Sequence, residues 1–319
     1  MARTPQRTAV VVNAHRVTGT DELREQITSA LADAGWPAPA WLETTAEDPG
    51  TGQARQAARD GAEVVMVCGG DGTVRAVIEG LVGTDAALAV LPGGTGNLLA
   101  KNLGIPTDVD GGVRAVTAGE RRRIDVGEVD GQAFAIMAGI GFDAKIMDDA
   151  PARVKNVMGP VAYVFSALRH LVDREMHVEI TVDGGETLRR HARTVVVGNV
   201  GRLQGGVDLL PDARPDSGEL DVAVVAPRNI GHWLKLVVAI ALRRRHAPHR
   251  ETFRGSHVLV RAGAPEPRQL DGDVIDDSTT LEVSVRRSAL TVCVAAADER
   301  ADDIADVDAR PGGVRDAAS

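Results

Sequence analysis

Two glycine clusters in this sequence could bind phosphate groups. The first is Gly69-Gly70-Asp71-Gly72-Thr73, and the second is Pro92-Gly93-Gly94-Thr95-Gly96-Asn97. Because glycine lacks a Cβ, its backbone N–H group can approach a phosphate closely, and a helix that begins there adds partial positive charge. A tight strand-to-helix turn is the alternative for either cluster alone. Together the clusters predict a polyphosphate cradle formed by Gly69, Gly70, Gly72, Thr73, Gly94 and Thr95.

Asp71 is the acidic residue within the first cluster. A carboxylate beside a polyphosphate repels it, unless the carboxylate binds Mg²⁺ or accepts a proton, and both roles occur in phosphoryl transfer. The alternative is a turn-forming aspartate that caps a helix. Neither cluster matches the Walker pattern GxxxxGK[ST] or the dinucleotide pattern GxGxxG. The sequence therefore predicts nucleotide chemistry on a different type of loop.

The elements that position these clusters alternate between strand and helix. Each cluster follows a short apolar run that is typical of a buried strand, and each precedes a helical segment. This alternation predicts a parallel sheet with helices on both faces, in which ligands bind at the carboxyl ends of the strands. The predicted strands are Thr8–Val12, Ala40–Glu43, Glu63–Val67 and Leu88–Leu91, and the predicted helices are Asp21–Ala34, Gly52–Asp60 and Thr73–Leu81.

The pattern changes after about Arg123, where strands predominate. Turn signals such as Asp183-Gly184-Gly185 separate some of them, which favours an antiparallel sandwich or barrel. Two helices, Val154–Asp173 and Ile230–Arg245, interrupt the strands. The predicted strands are Ile124–Val129, Gln132–Met137, His177–Val182, Arg193–Val197, Glu219–Val225, His257–Arg261, Leu281–Arg286 and Ala289–Ala295.

Composition limits the function classes. The 319 residues carry a net charge of -9, which argues against a basic nucleic-acid-binding domain and hence against a nucleic-acid partner. The apolar run near Leu236–Leu242 is too short to span a bilayer, so we expect a soluble or peripheral protein. The basic segment Arg243–His246 follows that run and suits an anionic membrane surface. An ordinary core helix with a solvated charged end is the alternative.

The two glycine clusters, with further motifs in a fixed order, resemble the catalytic domain of diacylglycerol kinases. Sphingosine kinases, ceramide kinases and bacterial lipid kinases share this domain, and NAD kinases resemble it more distantly. The resemblance implies ATP and Mg²⁺ as cofactors and a lipid hydroxyl at the membrane surface as acceptor. The further motifs are Gly139–Asp143, Gly198-Asn199, Gly205-Gly206, Pro211-Asp212-Ala213, Gly218–Asp221 and Asp271-Gly272-Asp273.

The resemblance also implies the domain organisation. We expect an α/β nucleotide-binding domain with a parallel sheet over residues 1–123, similar to NAD kinases and diacylglycerol kinases. An antiparallel β-sandwich domain for the lipid would follow over residues 124–288. The last strand, within residues 289–297, would return to the first domain, and the acidic tail 298–319 would be disordered. We expect a cytoplasmic protein in contact with the inner face of the membrane, and a homodimer is left open.

Site residues follow from the same resemblance. Asn97 would lie near the lipid head group or the transferred phosphate. Asp273 stands where many members carry the glutamate implicated as proton acceptor, so either Asp71 or Asp273 is the expected base. A hairpin turn is the alternative for Asp271-Gly272-Asp273. The residues expected to contact the nucleotide, besides the cradle, are Asn13, Ala14, His15, Arg16, Val17 and Thr45.

A structural Mg²⁺ site of bacterial members corresponds to the loop Arg214–Glu219. The implied metal-binding positions are Arg214, Asp216, Ser217 and Glu219. Ser217 stands in the slot of an aspartate, and a neutral hydroxyl is a poor ligand for a hard cation. Either Asp216 replaces that ligand or the loop is an ordinary turn.

Two rival functions are also consistent with the sequence. One is a kinase for a soluble hydroxyl acceptor, as in NAD kinases, although the long strand-rich segment and the Asp-Gly-Asp motif favour a lipid. The other is a non-catalytic nucleotide-binding regulator. It is supported by the departures from the family pattern at Ser217, at Asp273 and at Ala14, where the family usually carries proline.

Overall fold

The computed structural model describes most of the chain. Within the described residues, no helix is both long and apolar enough to cross a membrane. Thr95, the predicted helix Val154–Asp173, Gly205-Gly206, the segment Arg243–His246 and the tail lie outside the described residues. The described ranges are 3–17, 19–91, 93–94, 96–141, 175–202, 208–227, 229–242 and 247–296.

The N-terminal half contains a parallel sheet with the strand order β4-β3-β1-β2. Its residues alternate between two core clusters, since Val65 and Val67 face one layer of helices and Val64 and Met66 face the other. Burial on both faces explains why the strands are continuous apolar runs. The strands are β1 (Thr8–Val12), β2 (Ala40–Glu43), β3 (Val64–Cys68) and β4 (Ala87–Leu91).

Five helices accompany this sheet. The third begins at Asp71 rather than at Thr73 as predicted, so the acid lies in the first helical turn. The fourth is the helix expected after the second glycine cluster, for which no bounds could be predicted, and the fifth was not predicted. The helices are α1 (Thr20–Asp33), α2 (Thr51–Arg59), α3 (Asp71–Leu81), α4 (Leu98–Leu103) and α5 (Val109–Thr117).

The C-terminal half is an antiparallel, sandwich-like arrangement of strands, which confirms the predicted fold class. Strands β12, β11, β10 and β7 run side by side and join β13, which also pairs with β8. A helix, α6 (Ile230–Ala241), interrupts them. The strands are β5 (Glu120–Val129), β6 (Gln132–Phe134), β7 (Met137–Ile140), β8 (Met176–Val182), β9 (Leu188–Ala192), β10 (Thr194–Gly198), β11 (Leu220–Val225), β12 (Arg250–Gly255), β13 (His257–Leu270) and β14 (Asp273–Val294).

Strand β14 physically joins the two halves. It is 22 residues long, pairs with β13 along its first part, and then pairs with β5. Near its end, Thr291 and Val292 pair in parallel with Ala87 and Leu88 of β4. One hydrogen-bonded sheet therefore runs through both halves, and the start of β14 is held at a fixed position relative to the parallel strands.

The turn between β13 and β14 is fastened to a third segment by the Asp271 carboxylate. Asp271 and Gly272 have φ values of 51° and 97°, as in a two-residue hairpin. The buried carboxylate accepts hydrogen bonds from the N–H groups of Ala135, Ile136 and Met137 at 3.1, 2.9 and 2.8 Å. Because these amides bind Asp271, the single strand predicted over 132–137 is wrong, and β6 and β7 are separate.

Asp271 should make the stability of the protein depend on pH. Burial raises the pKa of its carboxyl to about 6, although the three N–H donors lower it. A raised folded-state pKa favours the native state at low pH, and this contribution disappears as the pH rises from about 4 to about 6. Relative to Asp271→Asn, which cannot titrate, we expect the wild type to lose up to about 3 kcal/mol of unfolding free energy over this range. Urea denaturation at several pH values measures the difference, and a difference that does not vary with pH would contradict the assignment.

Candidate active site

The sequence-predicted nucleotide residues lie at one edge of the parallel sheet. Asn13, Thr45 and Gly69 come at or just after the carboxyl ends of β1, β2 and β3, and the second glycine cluster follows β4. The Asn13 N–H donates to the carbonyl oxygen of Cys68 at 2.9 Å, which ties the end of β1 to the end of β3. This edge is where parallel α/β sheets bind ligands.

The two glycine turns touch each other through their backbones. A Cβ at Gly94 would lie 2.9 Å from the Cα of Gly70, and a Cβ at Gly93 would overlap the backbone nitrogen of Gly69. Real side chains do not tolerate such contacts, so glycine is required at both positions. The amide groups of the two turns are thereby brought next to one another at the start of α3.

Asn13 and Thr73 form the floor beneath the first turn. The Asn13 Nδ2 donates to the Thr73 Oγ1 at 3.1 Å, and Thr73 is buried. The Asn13 Oδ1 is also buried and has no hydrogen-bond partner among the described residues. Buried polar atoms are normally paired, so this acceptor is a candidate for contact with a bound ligand.

The remaining predicted nucleotide contacts lie around this floor. The backbone N–H groups of Arg16 and Val17 donate to the Asn13 carbonyl oxygen, both at 3.0 Å, which closes a tight turn after β1. Ala14 and His15 are exposed within that turn. The exposed Thr45 accepts a hydrogen bond from the Asp48 N–H through its Oγ1 at 3.1 Å, at the edge strand β2.

Asp71 links the first glycine turn to the second. Its Oδ1 accepts a hydrogen bond from the Leu98 N–H at 2.8 Å, at the start of α4. A side chain on Gly96 would overlap the Asp71 Oδ2. Asn97 precedes α4 in a left-handed conformation, with a φ of 46°. Asp71 therefore holds the second glycine turn, including Asn97, against the N-terminus of α3.

Asp273 comes to the same place from the opposite end of the sequence. Its Oδ2 lies 3.2 Å from where a Cβ on Gly72 would be. Arg75 holds this oxygen through Nη2 at 3.3 Å and Nε at 3.4 Å. The Asp273 side chain is 50% exposed whereas Arg75 is 18% exposed, so the carboxylate remains accessible on a mostly buried support. Sequence reasoning missed Arg75, although it lies one helical turn after Asp71.

The assembled site has backbone N–H groups, two carboxylates and one guanidinium around the N-terminus of α3. Mg²⁺ commonly binds through one or two carboxylates together with substrate phosphates and water. The described residues include no group of three or more histidine, cysteine, aspartate or glutamate side chains that could hold a metal alone. Asp71 and Asp273 thus fit a cation that arrives with a polyphosphate.

The second predicted metal site, the loop Arg214–Glu219, is closed by its own side chains. The Ser217 Oγ lies 3.0 Å from the carbonyl oxygen of Arg214 and 2.9 Å from that of Glu219, so its hydroxyl can donate to either. Asp216 forms an ion pair with Arg122 at 2.7 Å. Asp216, the carboxylate expected to replace the missing ligand, is therefore neutralised by an arginine, and these residues do not fit a cation.

Asp125 anchors the same loop from below. Its carboxylate accepts hydrogen bonds from the N–H groups of Gly218 at 2.6 Å and Ser288 at 2.7 Å. The Asp125 N–H donates to the Pro215 carbonyl oxygen at 2.6 Å. The loop is thus fixed to β5 and to the bulge of β14 by these hydrogen bonds, in addition to the ion pair between Asp216 and Arg122 of β5.

Both halves of the chain match family models of known proteins. Residues 7–129 match the model of the diacylglycerol kinase catalytic domain, and residues 136–294 match the YegS C-terminal NAD kinase beta sandwich-like domain. The chain is similar to a diacylglycerol kinase of Bacillus subtilis, with 30% identity over 252 residues that cover 78% of this chain and 82% of the relative.

Two solved structures share the fold. A diacylglycerol kinase from Bacillus anthracis has a TM-score of 0.77 at 23% identity, with 92% of this chain and 98% of that chain covered. An NAD kinase from Archaeoglobus fulgidus, solved in complex with ATP, has a TM-score of 0.52 at 14% identity, with 94% and 97% covered.

The contact between the glycine turns predicts that two alanine substitutions affect different properties, one the stability of the protein and the other nucleotide binding. Gly93→Ala inserts a methyl group into the Gly69 backbone, so we expect a loss of about 2 kcal/mol of stability. Gly70→Ala meets nothing within 4 Å at a φ of -77° and should leave stability unchanged. Its methyl group would extend into the open cradle and should weaken nucleotide binding several-fold. Thermal unfolding and calorimetric titration with ATP measure both effects, and equal stability of the two variants would contradict the close contact.

Because the loop at Ser217 is closed, we expect the stability of the protein to be independent of Mg²⁺. Without nucleotide, the wild type should unfold at the same temperature in millimolar Mg²⁺ and in EDTA. Ser217→Asp places a carboxylate between the two carbonyl oxygens and should gain a few degrees in Mg²⁺, since a ligand that binds only the native state stabilises it. Ser217→Ala is the control and should gain nothing. A rise in the wild-type unfolding temperature with Mg²⁺ would show that the loop does bind the cation.

Proposed function

This chain belongs to the diacylglycerol kinase catalytic-domain family, a family of phosphotransferases, and we propose that it transfers the γ-phosphoryl group of ATP to a lipid hydroxyl. The observation that supports this most strongly is the joint position of the two glycine turns and the two carboxylates. Phosphoryl transfer depends on positioning and charge stabilisation, which this arrangement supplies. Diacylglycerol or a closely related lipid is the proposed acceptor.

The triphosphate of ATP would lie against the amides of both turns. The N-terminus of α3 and the N–H groups of Gly70, Gly72 and Gly94 favour negative charge there. The unpaired Asn13 Oδ1 would accept a hydrogen bond from the nucleotide. Mg²⁺ held by Asp71 together with the phosphates would neutralise part of the charge that develops during transfer. The ATP complex of the structurally similar NAD kinase supports ATP as the donor.

Asp273 is the proposed general base. Its accessible carboxylate would accept the proton of the lipid hydroxyl while the hydroxyl oxygen bonds to the γ-phosphorus. The bond from that phosphorus to the bridging oxygen of ADP then breaks, and ADP leaves with the electron pair. Arg75 keeps the Asp273 carboxylate oriented towards α3. Asp71 is less suited to be the base, because it is less exposed than Asp273 and its Oδ1 holds the Leu98 N–H at the start of α4.

The proposed location follows from the proposed substrate. A kinase that acts on a membrane lipid must reach the bilayer surface, and we place it in the cytoplasm in contact with the inner face of the membrane. The division at residue 123 into a nucleotide-binding domain and a lipid domain belongs to the same proposal. Asn97 would then lie near the transferred phosphate, between the nucleotide-binding domain and the lipid domain.

The test of this function is transfer of radiolabelled phosphate from ATP to a total lipid extract, with the product identified by mass. We expect a labelled phospholipid whose mass exceeds that of its parent lipid by one phosphate group. Label that appears only on a soluble acceptor such as NAD would favour a soluble-substrate kinase. ATP binding without transfer to any acceptor would favour a regulator.

The two carboxylates should respond differently to substitution. Asp273→Asn should lower kcat by about 10²–10⁴-fold while the Kd for ATP stays within a few-fold, since a general base acts in the transfer step. Asp71→Asn should keep the fold and lose most turnover as well, but with weaker binding of Mg²⁺ and ATP. Asp277→Asn, on an exposed position of the same strand as Asp273, is the control. Near-wild-type lipid phosphorylation by Asp71→Asn or Asp273→Asn would refute the role assigned to that residue.

A further inference from the structure

Helix α6 carries an apolar stripe on its outer side. Leu234, Val238 and Leu242 follow one another at intervals of four residues, and their side chains are 48%, 47% and 61% exposed. Within the described part of the chain, these three are the exposed large hydrophobic side chains. Residues four apart lie above one another on a helix, so they form one continuous line.

The opposite side of α6 is fully used by the fold. Trp233, Leu236, Ala239 and Ile240 are buried in a cluster with residues of β10 and β11, of which Val196 is one. The Asn229 side chain caps the helix by accepting a hydrogen bond from the His232 N–H at 2.9 Å. The helix is therefore held firmly, and the stripe is not needed to keep it in place.

The segment around α6 has a charge opposite to that of the whole chain. Residues 226–250 contain no aspartate or glutamate, whereas the complete chain has a net charge of -9. The segment contains Arg228, Lys235, Arg243, Arg244, Arg245 and Arg250. Lys235 lies on α6 itself. An apolar stripe within a segment of net positive charge is attracted to anionic lipid, because each cation near the surface contributes to binding.

A cavity of about 530 Å³ lies at the N-terminal end of α6. His232 and His249, whose rings stack at 3.9 Å, line it together with the guanidinium groups of Arg189, Arg190 and Arg250. Glu175 and Glu251 also line it. Arg190 is paired with Glu251 at 2.6 Å and Arg189 with Glu179 at 2.9 Å. Because two of its three arginines are neutralised in this way, the cavity is not part of the surface proposed below.

We propose that α6 is the surface by which this protein docks on an anionic lipid bilayer. The stripe enters the acyl boundary, while Lys235 contacts phosphate head groups. This inference rests on the proposed lipid kinase function, which requires access to a bilayer. Such a stripe could instead pack against a second copy of the chain, and the experiment distinguishes a bilayer from a second copy.

The test is co-sedimentation of the full chain with vesicles of phosphatidylglycerol and phosphatidylcholine, compared with vesicles of phosphatidylcholine alone. The wild type should bind the anionic vesicles and not the neutral ones. Leu234→Ser combined with Val238→Ser should lower vesicle binding at least tenfold without changing the unfolding temperature. Lys235→Glu should lower it several-fold, whereas Arg59→Glu, which changes the net charge equally on α2, should not.

Light scattering of the same variants identifies the competing occupant. The proposal is overturned if the double serine variant binds vesicles as well as the wild type does. It is also overturned if this variant changes from dimer to monomer while its vesicle binding stays intact. Vesicle binding needs no phosphate transfer, so it can succeed even if the kinase assay fails. Conversely, phosphorylation of a detergent-dispersed lipid by a chain that does not bind vesicles would contradict the docking surface alone.

Discussion

The close approach of two glycine turns at the ends of β3 and β4 is the constraint on which the rest of the site depends. Gly93 and Gly94 lie directly against the backbone of Gly69 and Gly70, so no side chain can separate the turns. Only then can Asp71, in the first turn of α3, bind the Leu98 N–H of the next helix. One compact surface of amide groups results, and neither turn could form it alone.

The long strand β14 adds a carboxylate, that of Asp273, to this surface of amide groups. A polyphosphate cradle binds a donor but needs a group that can act on an acceptor. Because β14 runs from the β13 turn to a parallel pairing with β4, its first residue, Asp273, is held beside Gly72. Asp271 secures that turn to the segment between β6 and β7. The fold therefore uses one continuous sheet to bring a distant carboxylate to the nucleotide edge.

Local patterns were sufficient for some features and insufficient for others. The glycine turns and the parallel strands were predictable because their signals are contiguous in sequence. A helix was expected after the second glycine cluster, but the bounds of α4 could not be predicted because six residues show no clear period. Helix α5 was missed because Gly111 and Gly112 resemble a loop. The Arg75–Asp273 contact joins residues 198 positions apart, and no local rule predicts it. The closure of the Arg214–Glu219 loop likewise depends on Arg122, which only the folded chain brings near.

The sharpest test of how the two glycine turns bind a nucleotide is a crystal structure with a non-hydrolysable ATP analogue and Mg²⁺. We expect the triphosphate to contact the amides of both glycine turns and the γ-phosphate to lie nearest to Asp273. A nucleotide bound at another edge of the sheet, or phosphates that contact one turn only, would contradict this expectation.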